Sequence, residues 1–544
     1  MTSGLAYLGP LTTEPDIIYR LINSSGPVAV DTETISLKDT SCIGIGLQVS
    51  DEDRYYFRVL PEPSDYLPLV QQILQDKSRT KIFHSAKFDM EVLAAYQPDA
   101  TNVQDTYLIC KCLGIPAGLQ ELGESIGFTD MFSISDLLES VEGKRNPTML
   151  DVAWDGVALK CMNDVRATWF GLKKLKTMMG PKIRECYEVE LQVLQVMLEM
   201  EKWGLKLDSD LLDTKANQLS ALCNAFEIHC ADLGFNPASN QQLAMYLAHQ
   251  GVSLPMTRSR KNLAVDEDTL NGLDIPIARE VLEYRGNRKL LSTYVLPWIG
   301  QDRAFTHFRA DLSTGRLASY GRNIQNVPSK VRNVFVPDSG QFTWFDYSQI
   351  EMRLFAWISQ DRRMMQAYAN GEDIHWVTQQ VLFPMSERED EVTRVLAKTF
   401  NFAMVYLAKA GTLAAHTKLP YQTANRYRSE WLKLYPQGYF WMLEQARGEG
   451  SYAETLFGRR MKLPAGPTMD HVAKCRINYP IQGTAADIIK RAMVACKDLD
   501  LRVQVHDELV FDGDFKQELK ERGLDTILDG CLIPYSVKRG ARWS

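Results

Sequence analysis

Nothing in the 544 residues approaches the roughly 20 consecutive apolar side chains that a membrane-spanning helix needs. The start, Met1-Thr2-Ser3-Gly4-Leu5, has neither the basic cluster nor the apolar run of a secretory leader. Ten cysteines are scattered without a Cys-x-x-Cys pair, and Cys110-x-Cys112 lacks zinc-finger spacing. That argues against a disulfide framework and a structural zinc, and for a reducing, cytoplasmic setting with no membrane association. Low-complexity tracts and short repeats are missing as well. So is an excess of basic charge: 61 Lys and Arg stand against 68 Asp and Glu, for a net charge of −7. The total gives no sign of nucleic-acid binding, yet it is compatible with a local basic cleft, because binding depends on where the cations sit.

What the chain does have is two carboxylate motifs far apart in sequence. Thr343-Trp344-Phe345 reads as a strand leading into Asp346, within Asp346-Tyr347-Ser348-Gln349-Ile350-Glu351. Leu501-Arg502-Val503-Gln504-Val505 alternates apolar and polar before His506-Asp507-Glu508. Each aspartate alone could be an ordinary strand-end turn residue. Two strands ending side by side would instead let them share divalent cations roughly 3.5–4 Å apart, the spacing that clamps both oxygens of a phosphoryl transfer.

Between them, Arg394, Lys398, Phe402 and Tyr406 recur every four residues in a stretch with no Pro or Gly from Val392 to Ala410. Four residues advance a helix by about 400°, so the four side chains climb one face. Two cations for phosphates and two rings for base and sugar suit a nucleoside triphosphate. A solvated helix with buried aromatics has the same spacing.

In combination and in this order, these motifs closely resemble motifs A, B and C of the family A DNA polymerases. Further segments carry the resemblance: Thr314-Gly315-Arg316-Leu317, Asn323-Ile324-Gln325-Asn326-Val327-Pro328, Asp373-Ile374-His375, Thr455-Leu456-Phe457-Gly458-Arg459-Arg460, Asn478-Tyr479-Pro480-Ile481-Gln482-Gly483, and the ending Gly540-Ala541-Arg542-Trp543. The resemblance covers about residues 185 to 544.

In the N-terminal third, Val28-Ala29-Val30 leads into Asp31-Thr32-Glu33, and period two puts Asp31 and Glu33 on one strand face. With Asp89 in His84-Ser85-Ala86-Lys87-Phe88-Asp89 and Asp164 in Asn163-Asp164-Val165, they resemble the four carboxylates of the DEDD 3′–5′ exonucleases. Asp105 fits the same domain as supporting structure. Four clustered carboxylates repel unless cations join them, and two metal ions would relieve this and activate a water. The chain departs from that family at Lys160, where a tyrosine four residues before the last aspartate orients the attacking water. The alternative to active proofreading is a polymerase with a weak or inactive exonuclease domain.

The resemblance implies a multidomain α/β and α+β fold. A ribonuclease H-like exonuclease domain (residues 1–180) would precede a right-hand polymerase, with thumb (185–300), palm (301–360 and 471–544) and fingers (361–470). It implies DNA-directed DNA synthesis from a primer, with Asp346, Asp507 and the Tyr347 carbonyl holding two Mg²⁺ ions. Asp31, Glu33, Asp89 and Asp164 would hold two more, Mn²⁺ being a substitute in both sites. Glu508 would tune the first site. Gln349, His375, Arg394 and Lys398 would contact the triphosphate, with Lys398 protonating the leaving pyrophosphate. Glu351 and Tyr406 would exclude a 2′-hydroxyl, and Phe402 in place of tyrosine would disfavour dideoxynucleotides. Arg285 and Lys289 would track duplex phosphates. Gln325 and Asn326 belong to the template–primer segment, and Arg316, Asn478, Gln482 and His506 would probe the primer-terminal pair. Leu407, where the family has Gly, and Ala403 are further departures. Primer–template DNA and dNTPs are the implied partners of a monomer, with a single-strand binding protein or helicase beside it. Too few residues precede Asp31 for a 5′ nuclease domain, and this compact form resembles phage replication enzymes working in a bacterial cytoplasm. Two rivals remain: a single-subunit RNA polymerase, which shares the two-aspartate palm, and a nuclease or DNA-binding protein with a degenerate polymerase region.

Overall fold

The computed structural model describes residues 5–8, 21, 24–36, 38–257, 259–465 and 468–543. The reading of Met1 to Gly4 as lacking a leader lies outside them.

The N-terminal part is built on a six-stranded mixed sheet, in the order β1-β4-β3-β2-β5-β6. Its strands are β1 (Leu5–Leu8), β2 (Val28–Thr34), β3 (Cys42–Gln48), β4 (Arg54–Arg58), β5 (Lys81–Phe83) and β6 (Val103–Asp105). The Val-Ala-Val run makes β2 a central strand, antiparallel to β3 and parallel to β5. Such a strand is buried on both faces, so its carboxylates sit where water is scarce. The helix Trp154–Met178 lies across β2 and β3. Gly46 makes this approach feasible, because a Cβ there would come within 2.7 Å of the Cys161 sulfur. The sheet thereby meets the helical turn that carries Lys160, Cys161 and Asp164.

The boundary expected near Gly180-Pro181 is a joint between two helices, with Gly180 extended and Pro181 opening the helix Pro181–Trp203. That helix is shared by both halves. Its Tyr187 hydroxyl accepts a hydrogen bond from the Asp105 backbone N–H at 2.8 Å. One turn on, Glu190 is buried against Arg459 and Lys490 from the C-terminal half.

The helices Ser209–Asp232, Asn240–His249 and Pro276–Lys289 follow. The expected thumb segment also supplies a strand, β7 (Leu205–Leu207), which pairs with β8 (Arg303–Ala304) and β11 (Phe335–Val336). Leu205 and Leu207 point inward and Lys206 outward, so this strand anchors the helices to the segment beyond residue 300. A hairpin of β9 (His307–Arg309) and β10 (Ala318–Tyr320) leads on towards β12 (Phe342–Tyr347). A second hairpin, β13 (Tyr452–Glu454) with β14 (Arg460–Lys462), packs on the 27-residue helix Met469–Ala495. The last sheet is antiparallel, in the order β15-β16-β12-β17, with β15 (Leu501–Val505), β16 (Glu508–Asp512) and β17 (Tyr535–Gly540). Both strands expected before Asp346 and Asp507 are present. Among the described residues, no helix is long and apolar enough to cross a membrane.

One expectation is corrected. The helix expected to carry Arg394, Lys398, Phe402 and Tyr406 on one face spans Glu391–Val405, so Tyr406 is its C-cap and not a fourth rung of that face. Leu407 adopts φ +52°, the Ala408 N–H reaches the Ala403 carbonyl at 3.1 Å, and the Leu407 N–H reaches Met404 at 2.9 Å. These bonds form a Schellman ending, in which the left-handed position favours glycine. Leucine adopts it here at a cost of about 1 kcal/mol.

Candidate active sites

At the end of the antiparallel sheet, β12 presents Asp346 directly opposite Glu508 on β16. Asp507 sits in the two-residue turn between β15 and β16, where His506 takes φ +52°. The Tyr347 N–H donates to the Asp507 carbonyl at 3.3 Å, which ties the turn to β12. Asp507 feels the charge of Asp346. Burial, then Glu351, pushes Asp507 up to about 6, with Asp346 adding to the rise and Arg316 opposing it. Burial also raises Asp346, against Lys538 and Arg332. Two neighbouring carboxylates that bind protons too readily suit a divalent cation.

Glu508 is engaged elsewhere. It accepts from Arg332 at 3.1 Å and from the Trp543 indole at 3.0 Å, one partner on each oxygen. Its place is therefore to brace the turn, and Arg332 in turn lies 4.5 Å over the Trp543 ring. Neither Arg332 nor Lys538 was legible as a site residue, since single cations in unremarkable sequence carry no signal.

Glu351 is bound by two of the expected residues at once, Arg316 and the Tyr406 hydroxyl. Gln482 also reaches that hydroxyl. On the facing helix, Arg394 forms an ion pair with Asp373 at 2.6 Å, while Lys398 is exposed. His375 is buried, its Nδ1 2.9 Å from the Asn401 amide, and its ring is 5.8 Å from that of Phe402. Burial lowers its pKa to about 4 against the pull of Asp373, so it is neutral at ordinary pH. Gln349, at φ +55°, accepts from the Tyr368 hydroxyl at 3.3 Å.

The expected DNA-contacting residues divide. Lys289 and Asn326 line one groove of about 620 Å³ together with Lys330. His506 is exposed, and the Asn478 side-chain oxygen is buried without a hydrogen-bond partner. Arg285 is turned instead into its own domain, on the Val265 carbonyl at 2.6 Å and Asn240 at 2.8 Å. Gln325 is interior, its amide on Gln504 at 2.9 Å, and Gln504 holds the His506 carbonyl at 2.6 Å. Both are thus occupied within the protein, and Gln325 acts on the turn through Gln504.

In the N-terminal part the four predicted carboxylates converge. Ligand atoms of Asp31, Glu33 and Cys161 lie within 4.8 Å of one another. Asp89 accepts from the Thr32 hydroxyl at 2.7 Å. Asp31 is raised well above the usual range by burial, then by Asp164, with Lys160 opposing and Glu33 and Asp89 adding to the rise. Burial lifts Glu33 to about 6 in spite of Lys160. Lys160 itself is buried between two of the four, 2.8 Å from Glu33 and 2.6 Å from Asp164. The donor set thus fits a cation at Asp31, while an ammonium already bridges Glu33 and Asp164. Asp105 caps the helix Thr106–Leu113 and receives the Ser85 and Ala86 N–H groups, a supporting role as expected.

The model of the family described as DNA polymerase family A matches residues 209–524, and a 3′-5′ exonuclease model matches residues 11–148, a span that stops before Asp164. DNA polymerase I of Pseudomonas aeruginosa is 28% identical, covering 94% of this chain and 62% of the relative. That of Synechocystis sp. is 30% identical over 89% of this chain and 56% of its own length. The thermostable DNA polymerase I of Thermus aquaticus is 32% identical over 65% and 47%. The chain thus spans about half to three-fifths of the length of these curated relatives. In fold it is similar to a solved structure titled "POL domain of Pol1 from M. smegmatis complex with DNA primer-template and dNTP", with a TM-score of 0.81, 22% identity and 99% of both chains covered. An exonuclease module followed by a right-hand polymerase is therefore the fold, as the sequence motifs implied. With the polymerase model matched over more than half of its length, this protein belongs to DNA polymerase family A.

Proposed function

We propose that the protein extends a DNA primer along a template with dNTPs and removes nucleotides from the primer 3′ end in a second site. The observation that carries this reading is the meeting of Asp346 and Asp507 at one sheet end, beside the Glu351–Arg316–Tyr406 group. Asp346 and Asp507, with the Tyr347 carbonyl, would hold two Mg²⁺ ions, which when bound lower the pKa of a primer 3′-hydroxyl and take up charge on the leaving pyrophosphate. Lys398 and Arg394 bring positive charge to the triphosphate side, and Lys398 is the group to protonate the departing pyrophosphate. Arg394 must first leave its ion pair with Asp373. Neutral His375 would donate a hydrogen bond to a phosphate oxygen without adding charge. Lys289, Asn326 and Lys330 would hold the duplex by its phosphates.

The Glu351–Tyr406 pair supports deoxyribonucleotides as substrates. A 2′-hydroxyl placed against this hydrogen-bonded pair would clash or strand a buried polar atom. Comparison of extension with dNTPs and with ribonucleotides tests both activity and sugar choice. Efficient extension is expected only with dNTPs. Equal extension with ribonucleotides would favour an RNA polymerase, and none with either would remove the polymerase reading.

Phe402→Tyr is expected to raise incorporation of dideoxynucleotides on the order of 10- to 100-fold, with little change for dNTPs. The added hydroxyl can bond a triphosphate oxygen in place of the missing 3′-hydroxyl, a charged hydrogen bond of about 1.5–3 kcal/mol. An unchanged dideoxy termination ladder would refute the assignment of Phe402 to the nucleotide site.

The exonuclease reading rests on Asp31, Glu33, Asp89 and Asp164 meeting in one cluster. Shortening of a 5′-labelled primer without nucleotides, lost in Asp31→Ala, is its direct assay.

A further inference from the structure

The exonuclease cluster is not an open cage of four carboxylates. Lys160 reaches it from the helix Trp154–Met178, four residues before Asp164, so both side chains project from one helical face. Its side chain is only 10% exposed, and the ammonium makes hydrogen-bonded ion pairs with Glu33 at 2.8 Å and Asp164 at 2.6 Å. Asp31 and Asp89 do not share it: Asp31 faces the Cys161 thiol at 3.3 Å, and Asp89 holds the Thr32 hydroxyl. The cluster is therefore divided into a half neutralised by the protein's own cation and a half with only weak or neutral donors.

We propose that the Lys160 ammonium is a resident cation of this site, standing between Glu33 and Asp164 where a second divalent ion would be held, so that the site takes one divalent ion, at Asp31, and not two. This rests on the exonuclease reading and deepens it. The reason is charge and space. Four carboxylates need compensation to be buried together, and an ammonium supplies part of it permanently. A divalent ion on the same pair of oxygens would meet a like charge at contact distance in a water-poor setting, which is strongly unfavourable. A neutral tyrosine at this position, as in the related exonucleases, would impose neither effect. The same ammonium relieves carboxylate repulsion without metal, so this part of the fold should be stable when stripped of divalent ions.

The test is a count of bound ions. Full-length protein freed of metal is titrated with Mn²⁺ alone, with free Mn²⁺ read by electron paramagnetic resonance. The difference between wild type and Asp31→Ala gives the occupancy of this site and cancels the polymerase site. One ion is expected for wild type and for Lys160→Arg. Two are expected for Lys160→Met, relative to the Asp31→Ala/Glu33→Ala/Asp164→Ala/Lys160→Met variant, which lacks both ion positions. Chelator should lower the unfolding temperature of Lys160→Met by more than that of wild type, which has fewer bound ions to lose. Two ions in wild type would overturn the inference while leaving the exonuclease reading intact, and so would a Lys160→Met count that stays at one. No ion in either wild type or Lys160→Met would overturn the exonuclease reading together with the inference. Should Lys160→Met fail to fold, the wild-type and Lys160→Arg counts still decide between one ion and two.

Discussion

Asp346→Ala leaves primer–template binding near the wild-type level and cuts single-turnover extension on the order of a thousandfold or more. The Asp346 side chain reaches the open end of β12 and makes no hydrogen bond among the described residues, so its removal costs the fold little. On the proposed function it would remove half of a divalent-ion clamp worth several kcal/mol of charge stabilisation, and each 1.4 kcal/mol is about tenfold in rate. Asp507→Ala has the same effect. The double variant is little worse than either single one, because groups that act as a unit are not additive. Rapid-quench extension of a labelled primer, beside fluorescence anisotropy for binding, measures both quantities. Extension within tenfold of wild type in either single variant would remove these aspartates from the reaction.

The second large effect is on stability. Arg459 lies at the junction of the two halves, buried, with its guanidinium on Asp487 at 2.7 Å and also on Glu190 from the shared helix. Lys490 holds Glu190 as well, at 2.5 Å, and the Thr455 hydroxyl takes the other Asp487 oxygen at 2.7 Å. Burial disfavours the charge on Arg459, yet Asp487 and Glu190 more than offset it and hold its pKa well above the usual arginine value. Arg459→Ala leaves Asp487 with only the Thr455 hydroxyl and Glu190 with only Lys490, a loss of about 3–5 kcal/mol. The expected result is a clear fall in the unfolding temperature by calorimetry and faster proteolysis between the exonuclease and polymerase parts. Arg459→Lys recovers little, because a point charge cannot replace a planar fork with several donors. The cleft would also respond. Gly315, at φ +76°, passes close over Arg459, with its Cβ position 3.0 Å from the guanidinium, and the next residue is the Arg316 that binds Glu351. An unfolding temperature unchanged in Arg459→Ala would refute this account of the junction.

Local patterns carried much of this protein into view. Alternation and β-branched residues marked the strands before Asp31, Asp346 and Asp507, because a strand's side-chain period is visible in sequence. Spacing in steps of four put Arg394, Lys398 and Phe402 on one helix for the same reason. The end of that helix was not visible: a stretch without Gly or Pro gave no stop signal, and Leu407 takes the left-handed position that glycine usually fills at such an ending. Its start could have been read from Asp390, which caps the helix through the Val392 and Thr393 N–H groups.

Partnership was another matter. Nothing local distinguishes Arg285 and Gln325, which face inward, from Lys289 and Asn326, which line an open groove. The bracing of Glu508 by Arg332 and Trp543 joins residues far apart in the chain. By itself the sequence determined the chemistry available: which carboxylates end strands, which cations and rings share a helix, and which family the motifs resemble. Only the tertiary structure decided which of those groups meet a partner inside the protein, as Lys160 does between Glu33 and Asp164, because pairing depends on distances between elements that no local pattern encodes.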